Sequence, residues 1–371
     1  MTKVCHITCA HPKEDVRIFR KECVSLANAG YDVSLVQQGE SYVKSGVHLV
    51  GFGAVPSSRL KRMLKTSRLA YKKALAVDAD IYHLHDPELL SYALKLKRKG
   101  KKVIFDSHEF YVEQIKHKTY IPRPFRGPVA KLYAMRQKRI LRKIDGLVFP
   151  CFMDGKNPFG GQYRKMALIN NVPLQEELYD RYDPTVPKWQ NTVCHIGSLT
   201  HNRGITHLVK AAETANCTVC LGGKFESPEY EARIRSLPEF SRVNYLGPLD
   251  REQVLQTLQK SRVGIATLLN VGQYSRLCNL PTKVYEYMAL SIPSVLSDTP
   301  YNRQVVEKYQ IGICVDPANP EEIAKAIRYL LDNPEVARQM GENGRKAIKE
   351  EFNWSVEEKK LFALYEDILE Q

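Results

Sequence analysis

The stretch DIYHLHDPELLSYALKLKRKGKKVIFDSHE, residues 80–109, contains the pattern that decides the fold. Two short runs of apolar and β-branched residues, Asp80–His85 and Lys102–Ser107, flank a segment at 88–99 whose apolar residues have helical spacing. Two strands joined by a helix of this length form a parallel pair with a helical crossover. The stretch therefore predicts a βαβ unit in which polar side chains follow the end of each strand.

The same alternation continues on both sides of this stretch. Further strands are predicted at Lys3–Cys9, Tyr31–Gln37, Gly46–Phe52, Asp145–Pro150, Thr192–Gly197, Thr218–Leu221, Val243–Leu246, Arg262–Ala266, Pro293–Leu296 and Gly312–Val315. Helices are predicted between them, at 16–29, 57–76, 124–143, 204–214, 228–236, 250–260, 282–290 and 320–332. A polar stretch at 171–190 interrupts the rhythm. The pattern predicts two successive doubly wound α/β domains.

Length and composition agree with this organisation. The 371 residues are 43% hydrophobic and 26% charged, which is typical of globular proteins and long enough for two domains. No apolar run approaches the ~18 residues of a membrane span, and Met1–Cys9 lacks the layout of a secretory signal. The nine cysteines have no regular spacing, which predicts reduced thiols of a cytosolic protein. Cys217 and Cys220 are expected on opposite faces of one strand, in the core.

The net charge of +14 is unevenly distributed along the chain. Residues 1–171 contain 32 Lys+Arg against 14 Asp+Glu, whereas residues 172–371 contain 23 against 27. A strongly basic half beside a nearly neutral half indicates two different roles. Nucleic acid, an anionic membrane or a phosphorylated ligand could each be the partner of the basic half.

The loop after the first predicted strand, TCAHPKEDVR at residues 8–17, lacks the GxGxxG pattern of nicotinamide-binding proteins. Asp15 is placed to cap the helix that begins at Val16. Alternatively, the free amides at this helix start, together with Arg17, could hold an anion. Both interpretations remain open from the sequence.

Titratable side chains follow two neighbouring strands of the first half. His83 and His85 are expected on one face of a strand that leads into Asp86, and the next strand leads into His108. Asp86 before Pro87 also suits a helix start. The group is larger than packing needs and predicts a functional site, although helix caps and a hydrogen-bonded histidine would explain it too.

Glycine-containing loops follow three strands of the second half, at 197–204, 222–224 and 246–248. Glycines let the backbone approach a ligand closely, and Arg203 lies where a helix starts, which suits a phosphate. Three such loops at the carboxyl ends of strands predict a nucleotide-like ligand. Its candidate contacts are Gly197, Ser198, Arg203, Gly222, Gly223, Leu246, Gly247 and Pro248.

The segment NLPTKVYEYMALSIP, residues 279–293, is the most specific in the sequence. Thr282 can cap a helix whose free amides favour a diphosphate, and Lys283 adds positive charge. Glu286 lies one turn further on, where its carboxylate could accept hydrogen bonds from ribose hydroxyls. A surface glutamate is the alternative.

With these loops, the chain resembles the retaining, nucleotide-sugar-dependent glycosyltransferases of family four, which have the GT-B fold. The motifs HDPELL at 85–90 and DSHE at 106–109 are similar to those of the branch that acts in bacterial capsule, exopolysaccharide and O-antigen assembly. The resemblance covers nearly the whole chain. It implies two Rossmann-like domains that face a central cleft. These are an acceptor domain at 1–171, a donor domain at 172–352 and a helix at 353–371 that packs back on the acceptor domain.

The resemblance also implies roles for donor-site residues. Glu286 matches the second glutamate of the family's E-x7-E motif, which holds the ribose, whereas Cys278 stands at the first. Asn279 or nearby amides would then contact the sugar. Arg203 aligns with a residue that holds the diphosphate, and Ser198 replaces a second basic residue. The candidate donor-binding residues of this helix start are Asn279, Leu280, Pro281, Thr282, Lys283 and Glu286.

His108 matches the family's histidine beside the transferred sugar, where it would position a hydroxyl or polarise the reacting centre. His108, Arg203, Lys283 and Glu286 are thus the candidate catalytic residues. The candidate acceptor-binding residues are His11, Asp15, Arg17, His85, Asp86 and His108. There is no Asp-x-Asp motif, so we expect no metal and no cofactor beyond the donor, a UDP- or GDP-sugar.

The resemblance suggests a partner for the basic half. The segments 56–76, 95–102 and 131–143 are rich in Lys and Arg, and the first has helical spacing of apolar residues and no acid. We expect them to bind an anionic membrane on the cytoplasmic side, where a lipid-linked saccharide acceptor resides, although solvated helix faces would look similar. A sugar-nucleotide epimerase and a nucleic-acid-binding protein are the other classes considered; the basic clusters show no nucleic-acid-binding motif.

Overall fold

The computed structural model describes residues 1–54, 65–118, 120–161 and 163–370. They form two compact units. Unit 1 comprises Met1–Asn171 and Ser355–Gln371, and unit 2 comprises Val172–Trp354. Each unit is a Rossmann-like α/β domain built on a parallel sheet.

The sheet of unit 1 has eight strands in the order β3-β4-β2-β1-β5-β6-β7-β8, and only β3 pairs in the antiparallel sense. The strands are β1 (Lys3–Ile7), β2 (Asp32–Gln37), β3 (Tyr42–Lys44), β4 (Val47–Gly51), β5 (Ile81–Leu84), β6 (Lys102–Asp106), β7 (Gly146–Phe149) and β8 (Lys165–Leu168). Six of them were predicted. The short edge strands β3 and β8 were not, because their exposed residues do not form an apolar run.

The helices of unit 1 lie between these strands, except for the last. They are α1 (Val16–Cys23, with π-helical hydrogen bonding, continued by Val24–Asn28), α2 (Ser67–Val77), α3 (Leu90–Arg98), α4 (Tyr111–His117), α5 (Arg123–Leu141) and α13 (Trp354–Leu369). The start predicted for α2, at 57–64, lies outside the described residues. From Ser355 onward, α13 belongs to unit 1 and buries Leu361, Leu364, Tyr365 and Ile368.

Unit 2 has a six-stranded parallel sheet in the order β11-β10-β9-β12-β13-β14. Its strands are β9 (Thr192–Ile196), β10 (Thr218–Gly222), β11 (Val243–Gly247), β12 (Val263–Ala266), β13 (Ser294–Ser297) and β14 (Gly312–Val315). Its helices are α6 (Ile205–Thr214), α7 (Pro228–Arg235), α8 (Arg251–Lys260), α9 (Thr282–Ala289), α10 (Pro300–Tyr309), α11 (Pro320–Asp332) and α12 (Pro334–Glu350). Short helical turns lie at Gln175–Tyr179, His201–Arg203, Pro238–Arg242 and Tyr274–Arg276.

The core of unit 2 consists of two apolar clusters that share the sheet. Cys217 lies in the first cluster and Cys220 in the second, and both thiols are buried. This confirms that the two cysteines are core residues whose side chains diverge. None of the nine cysteines, all of which belong to the described residues, forms a disulfide. Among the described residues, no helix combines the length and apolar character that crossing a bilayer requires.

Candidate active site

Three glycine loops of unit 2 are joined by their backbones at the carboxyl ends of β9, β10 and β11. The Gly197 N–H donates to the Gly222 carbonyl (2.8 Å), and the Gly223 N–H donates to the Gly247 carbonyl (2.7 Å). Gly223 has φ of +140°, and a Cβ at this position would overlap the Gly197 carbonyl oxygen. The structure thus brings the predicted loops together, and only glycine fits where they meet.

The start of α9 differs from the prediction. Pro281, with φ −56° and ψ 138°, is the N-cap residue, and Thr282 is already the first residue of the helix. From that position no threonine hydroxyl caps the helix, so the expected capping role of Thr282 is wrong. Thr282 and Pro281 instead line a neighbouring cavity.

Lys283 is buried and extends toward the glycine loops. Its Nζ lies 2.8 Å from Nε2 of His195, whose Nδ1 donates to the Ile265 carbonyl (3.1 Å) and so leaves Nε2 as an acceptor. A Cβ on Gly197 would be 3.4 Å from this Nζ. Burial, reinforced by the positive charge of Arg203, lowers the pKa of Lys283 to about 7.

Arg203 lies at the end of a helical turn and at the edge of a cavity of about 180 Å³. Thr200 accepts a hydrogen bond from the Arg203 N–H (3.2 Å), and Gly204 adopts φ of +75° before α6 begins. The other residues that line the cavity are Leu268, Tyr274, Ser275, Leu277, Asn279, Leu280, Pro281, Thr282, Ser297, Thr299 and Asn302. Ser297 ends β13, and Thr299 and Asn302 follow it. They could have been predicted from the sequence, because ligands of such sheets bind beyond the carboxyl ends of the strands.

Glu286 is held by an arginine that the sequence analysis missed. Its Oε1 accepts a hydrogen bond from Nη1 of Arg251 (2.7 Å), and Nη2 of Arg251 donates to Glu177 (3.3 Å). Arg251 is the first residue of α8, after the Asp250 capping box. The glutamate is therefore not a solvated surface residue, because the arginine orients its carboxylate.

His108 follows β6 in unit 1 and lies at the partly exposed edge of a buried cluster. Its Nε2 lies 3.0 Å from Nδ1 of His85 and 3.2 Å from Oδ2 of Asp106. The ring of His11 lies 4.8 Å from that of His108, measured between centroids. The side chain of His108 is 14% exposed, whereas those of His85 and Asp106 are not exposed at all. The loops after β1, β5 and β6 thus meet at His108.

Arg17 faces the interior instead of the loop. Its guanidinium forms an ion pair with Asp106 (3.0 Å) and another with Glu22 (3.2 Å), and it also donates to the Ile169 carbonyl. A cation neutralised in this way is not available to an anion or an acceptor, so the expectation for Arg17 is wrong. Asp15 accepts hydrogen bonds from the Arg17 and Ile18 amides, which confirms that it caps α1.

Asp86 is also buried. Its Oδ2 accepts hydrogen bonds from the Thr8 hydroxyl (2.9 Å) and the Cys9 amide (2.6 Å), and its Oδ1 pairs with His11 (3.0 Å). Burial opposes ionisation, but these contacts lower the pKa of Asp86 to about 2. The helix expected directly after Asp86 begins only at Leu90. Since Asp86 and His85 lie behind exposed rings, we correct their assignment from contacting an acceptor to holding His11 and His108 in place.

Comparisons with known proteins agree with both units. Residues 16–153 match the family model "Glycosyl transferase 4-like domain", and residues 180–347 match "Glycosyl transferases group 1". The alpha-D-kanosaminyltransferase of Streptomyces kanamyceticus is 24% identical over 182 residues, which cover 47% of this chain and 45% of that protein. The match thus spans about half the length of this curated relative.

Solved structures show the same fold over the whole chain. The sucrose-phosphate synthase of Thermosynechococcus elongatus superposes with a TM-score of 0.77 at 17% identity, covering 100% of this chain and 99% of that one. HepE of Anabaena in complex with UDP has a TM-score of 0.70 at 13% identity, covering 99% and 100%. The two matched models are both of glycosyltransferases, and the chain has the GT-B fold. These matches favour a glycosyltransferase among the three classes considered from the sequence.

Among the described residues, two groups of side chains in unit 1 could be considered for a metal. In the group of His6, Glu22, His83 and His85, the rings of His83 and His85 are stacked at 4.6 Å and 21°, so their in-plane lone pairs do not converge. In the group of His85, Asp106 and His108, the Asp106 oxygen is already paired with Arg17. Both arrangements favour hydrogen bonding over metal coordination.

Opposite charges lie next to each other inside this cluster of unit 1. Burial alone would raise the pKa of the Asp106 carboxyl, but the Arg17 guanidinium and the neighbouring histidines hold it well below its usual range. Burial and the charge of Asp106 raise the pKa of Glu22 well above its usual range. Burial lowers the pKa of His85 to about 4. In this cluster, the Asp106 carboxylate thus lies opposite the Arg17 guanidinium, beside histidine rings whose pKa is lowered by burial.

Proposed function

We propose that the protein transfers a sugar from a nucleoside-diphosphate sugar, with UDP or GDP as the nucleotide, to a lipid-linked saccharide in cell-surface polysaccharide synthesis. Unit 2 binds the donor and unit 1 the acceptor. The observation that carries the proposal is the convergence of Arg203 and Lys283 on the glycine loops of unit 2. UDP bound to the structural neighbour HepE is consistent with such a donor.

The arrangement suits the departure of a nucleoside diphosphate. Negative charge develops on the leaving oxygen, and preorganised cations and amides stabilise that charge. Arg203 and Lys283 supply the cations, and the glycine loops supply amides without side chains in the way. Glu286, oriented by Arg251, accepts hydrogen bonds from the ribose. No metal is needed for this step.

The transfer is proposed to retain the configuration of the sugar, by attack of the acceptor hydroxyl on the same face from which the diphosphate leaves. Ring nitrogens of His108 position a hydroxyl of the donor sugar or polarise the reacting centre. His11 lies beside that ring and is the other exposed histidine of the loops that converge at His108. The active site has to keep water away from the reacting centre, because water would hydrolyse the donor.

The donor test is a thermal-shift screen of the full chain with UDP, GDP, ADP, dTDP and CMP and their common sugars. A ligand at a hundredfold excess over its Kd stabilises the folded state by about 2.7 kcal/mol. We expect one nucleoside diphosphate to raise the Tm, and Glu286→Ala to abolish the rise. Glu252→Ala, which removes an exposed glutamate paired with Arg181, is the matched control and should keep the rise. A folded protein that responds to no nucleotide would overturn the proposal.

Helix α5 supports the proposed binding to an anionic membrane. It carries Arg123, Arg126, Lys131, Arg136, Lys138 and Arg139 and no acidic residue. Phe125, Val129, Leu132 and Met135 recur at helical spacing, and their side chains are 39–65% exposed. An apolar stripe among basic residues is the pattern of a helix that lies in a membrane interface. Residues 56–64 of the other basic segment lie outside the described residues.

The membrane test is sedimentation with liposomes that contain anionic lipid. Binding should fall when Phe125 and Leu132 are both changed to Ser, and it should fall with rising salt, because basic residues near the surface each contribute about 1 kcal/mol. Lys325→Ser with Lys346→Ser, in helices of unit 2, is the control. Binding that neither the stripe variant nor salt affects would contradict docking through α5.

A further inference from the structure

We propose that a buried chain of hydrogen bonds, from His85 through His6 to Tyr365 and His83, sets which nitrogen of His108 carries the proton. The inference rests on the proposed function only in that it assigns His108 to the reacting centre. His85, His6 and Tyr365 are positioning residues in this proposal, since they act through His108.

The chain is continuous from the partly exposed ring to the C-terminal helix. His108 Nε2 lies 3.0 Å from His85 Nδ1, and His85 Nε2 lies 2.8 Å from His6 Nδ1. His6 Nε2 lies 3.1 Å from the hydroxyl of Tyr365, which lies 2.9 Å from His83 Nδ1. Apart from His108, every member of the chain is buried.

Each contact in this chain needs one donor and one acceptor, so the protons have to be ordered in one direction. A neutral imidazole has one N–H and one lone pair. If His108 holds its proton on Nε2, then His85 accepts at Nδ1 and must donate from Nε2. The same rule passes through His6, and the Tyr365 hydroxyl donates to His83. In the opposite order, every proton moves to the other nitrogen.

Asp106 favours one of the two orders, which the chain then has to support at every link. Its Oδ2 lies 3.2 Å from Nε2 of His108 but 3.7 Å from Nδ1 of His85, and Arg17 keeps this carboxyl ionised. A carboxylate next to a ring lone pair is repulsive, whereas an N–H at the same place forms a charge-assisted hydrogen bond. His108 therefore carries its proton on Nε2. His85, His6 and His83 then also carry their protons on Nε2. At the inner end of the chain, Nε2 of His83 has no hydrogen-bond partner among the described residues.

The consequence for the site is a free lone pair on Nδ1 of His108. This atom can accept a hydrogen bond or a proton from a sugar hydroxyl, as a positioned base does. This protonation state of His108 depends on Tyr365 of the terminal helix α13, which lies 257 positions away from His108 in the sequence. Asp106, His85 and His11 lie next to His108, and Glu22 Oε2 lies 3.9 Å from both His85 Nε2 and His6 Nδ1 within the chain.

The test is nitrogen NMR of ¹⁵N-histidine-labelled protein at about pH 8, where an unperturbed imidazole is neutral. We expect His108 to be the Nε2–H tautomer. In Tyr365→Phe, the His6 N–H loses its acceptor, so the order of protons reverses and the Nδ1–H form of His108 appears. In this form, kcat should fall about tenfold, which is part of the ~10²–10⁴-fold rate increase that a positioned proton-transfer group contributes. The Kd of the nucleotide should be unchanged.

Tyr82→Phe is the matched control. Tyr82 is also fully buried in unit 1, but its hydroxyl donates to the Ala74 carbonyl and has no contact with the chain. It should lose similar stability without a change in the His108 tautomer. His6→Gln interrupts the chain at another link and should act like Tyr365→Phe.

The inference is overturned if His108 is the Nδ1–H form in the unmodified protein, or if neither Tyr365→Phe nor His6→Gln changes its tautomer in folded protein. The NMR signals do not depend on turnover. A shift of tautomer in a protein that binds no nucleotide would thus support the inference about His108 while the proposed function failed.

Discussion

The strand ends of unit 1 and unit 2 carry two differently built sites. In unit 1, titratable side chains such as Asp86, Asp106 and Arg17 are buried and pair with one another, and only rings at the edge are exposed. In unit 2, glycines bring the loops together, and the Lys283 ammonium has, within the described part of the chain, a histidine and no carboxylate at hydrogen-bond distance.

The difference follows from what each site has to do. Paired charges hold a ring in one orientation and protonation state, because each partner stabilises the other in a region of low dielectric. A diphosphate instead needs accessible amides and cations that are not neutralised in advance. Unit 1 is thus built to fix a side chain, and unit 2 to receive an anion.

Separate roles for the two units predict the largest effects. His108→Gln should lower kcat by ~10²–10⁴ and leave the nucleotide Kd unchanged, because a positioned proton-transfer group contributes that much. Arg203→Ala should weaken nucleotide binding by about 10–100-fold, the value of a hydrogen bond between charged groups. Lys210→Ala, exposed on α6, is the control, measured by calorimetry and by release of the nucleoside diphosphate. If His108→Gln weakened nucleotide binding as much as Arg203→Ala did, the two roles would not be separate.

The role of glycines in unit 2 can be tested through stability. Gly223→Ala should reduce the free energy of unfolding by about 3 kcal/mol or more, because its Cβ would overlap the Gly197 carbonyl and its φ is positive. Gly30→Ala in unit 1 shares the positive φ but has open space around it, so it should cost about 1 kcal/mol. Urea unfolding of both variants measures the difference. Equal losses would mean that the overlap is relieved by movement of the loops.

The paired charges of unit 1 should make it sensitive to acid. Because the pKa of Asp86 is lowered to about 2 in the folded state, its contribution to stability is present above its unfolded value near 4 and is lost as pH falls to about 2. The loss is about 2 kcal/mol. Asp86→Asn should therefore be less stable than the unmodified protein near neutral pH, and the gap should close in acid.

Thermal unfolding across this pH range measures the gap. Asp298→Asn, which removes the partly exposed partner of the exposed Arg303 in unit 2, is the control and should cost less than about 1 kcal/mol. A gap for Asp86→Asn that stayed constant from neutral to acidic pH would show that the carboxylate contributes by packing alone.

The smallest predicted effect concerns Lys283. The pKa of this residue is lowered to about 7, and a bound diphosphate favours the charged form, so binding takes up a proton. Donor affinity should be constant below about pH 7 and fall by up to tenfold per pH unit above it. A nucleotide sugar is the right probe, since its diphosphate does not titrate in this range. Lys283→Met should bind more weakly with little pH dependence, and a flat profile for the unmodified protein would contradict the role of Lys283.

Much of the fold could be predicted from the sequence. The buried parallel strands lie within two residues of their predicted bounds, because a strand covered on both faces is a continuous apolar run. The exposed strands β3 and β8 have no such run. Asp15 could be assigned as a cap since its partners, the Arg17 and Ile18 amides, are its neighbours in sequence.

The candidate site was predicted less completely, because several of its contacts are not local. Arg17 looked available in the sequence, and the structure shows it neutralised by Asp106, 89 residues away. Arg251 did not stand out, although it orients Glu286 from another helix. The prediction that Thr282 caps α9 was wrong because Pro281 occupies the N-cap position.

By itself, the sequence determined the order of strands and helices, the glycine loops and the position of His108 after its strand. Those features depend on apolar spacing and on backbone freedom, both of which are local properties. Only the tertiary structure decided which charges are buried and paired, and that Tyr365 reaches the histidine chain from α13. Burial and pairing depend on which strands and helices become neighbours, and they set the protonation of His108 and of Lys283.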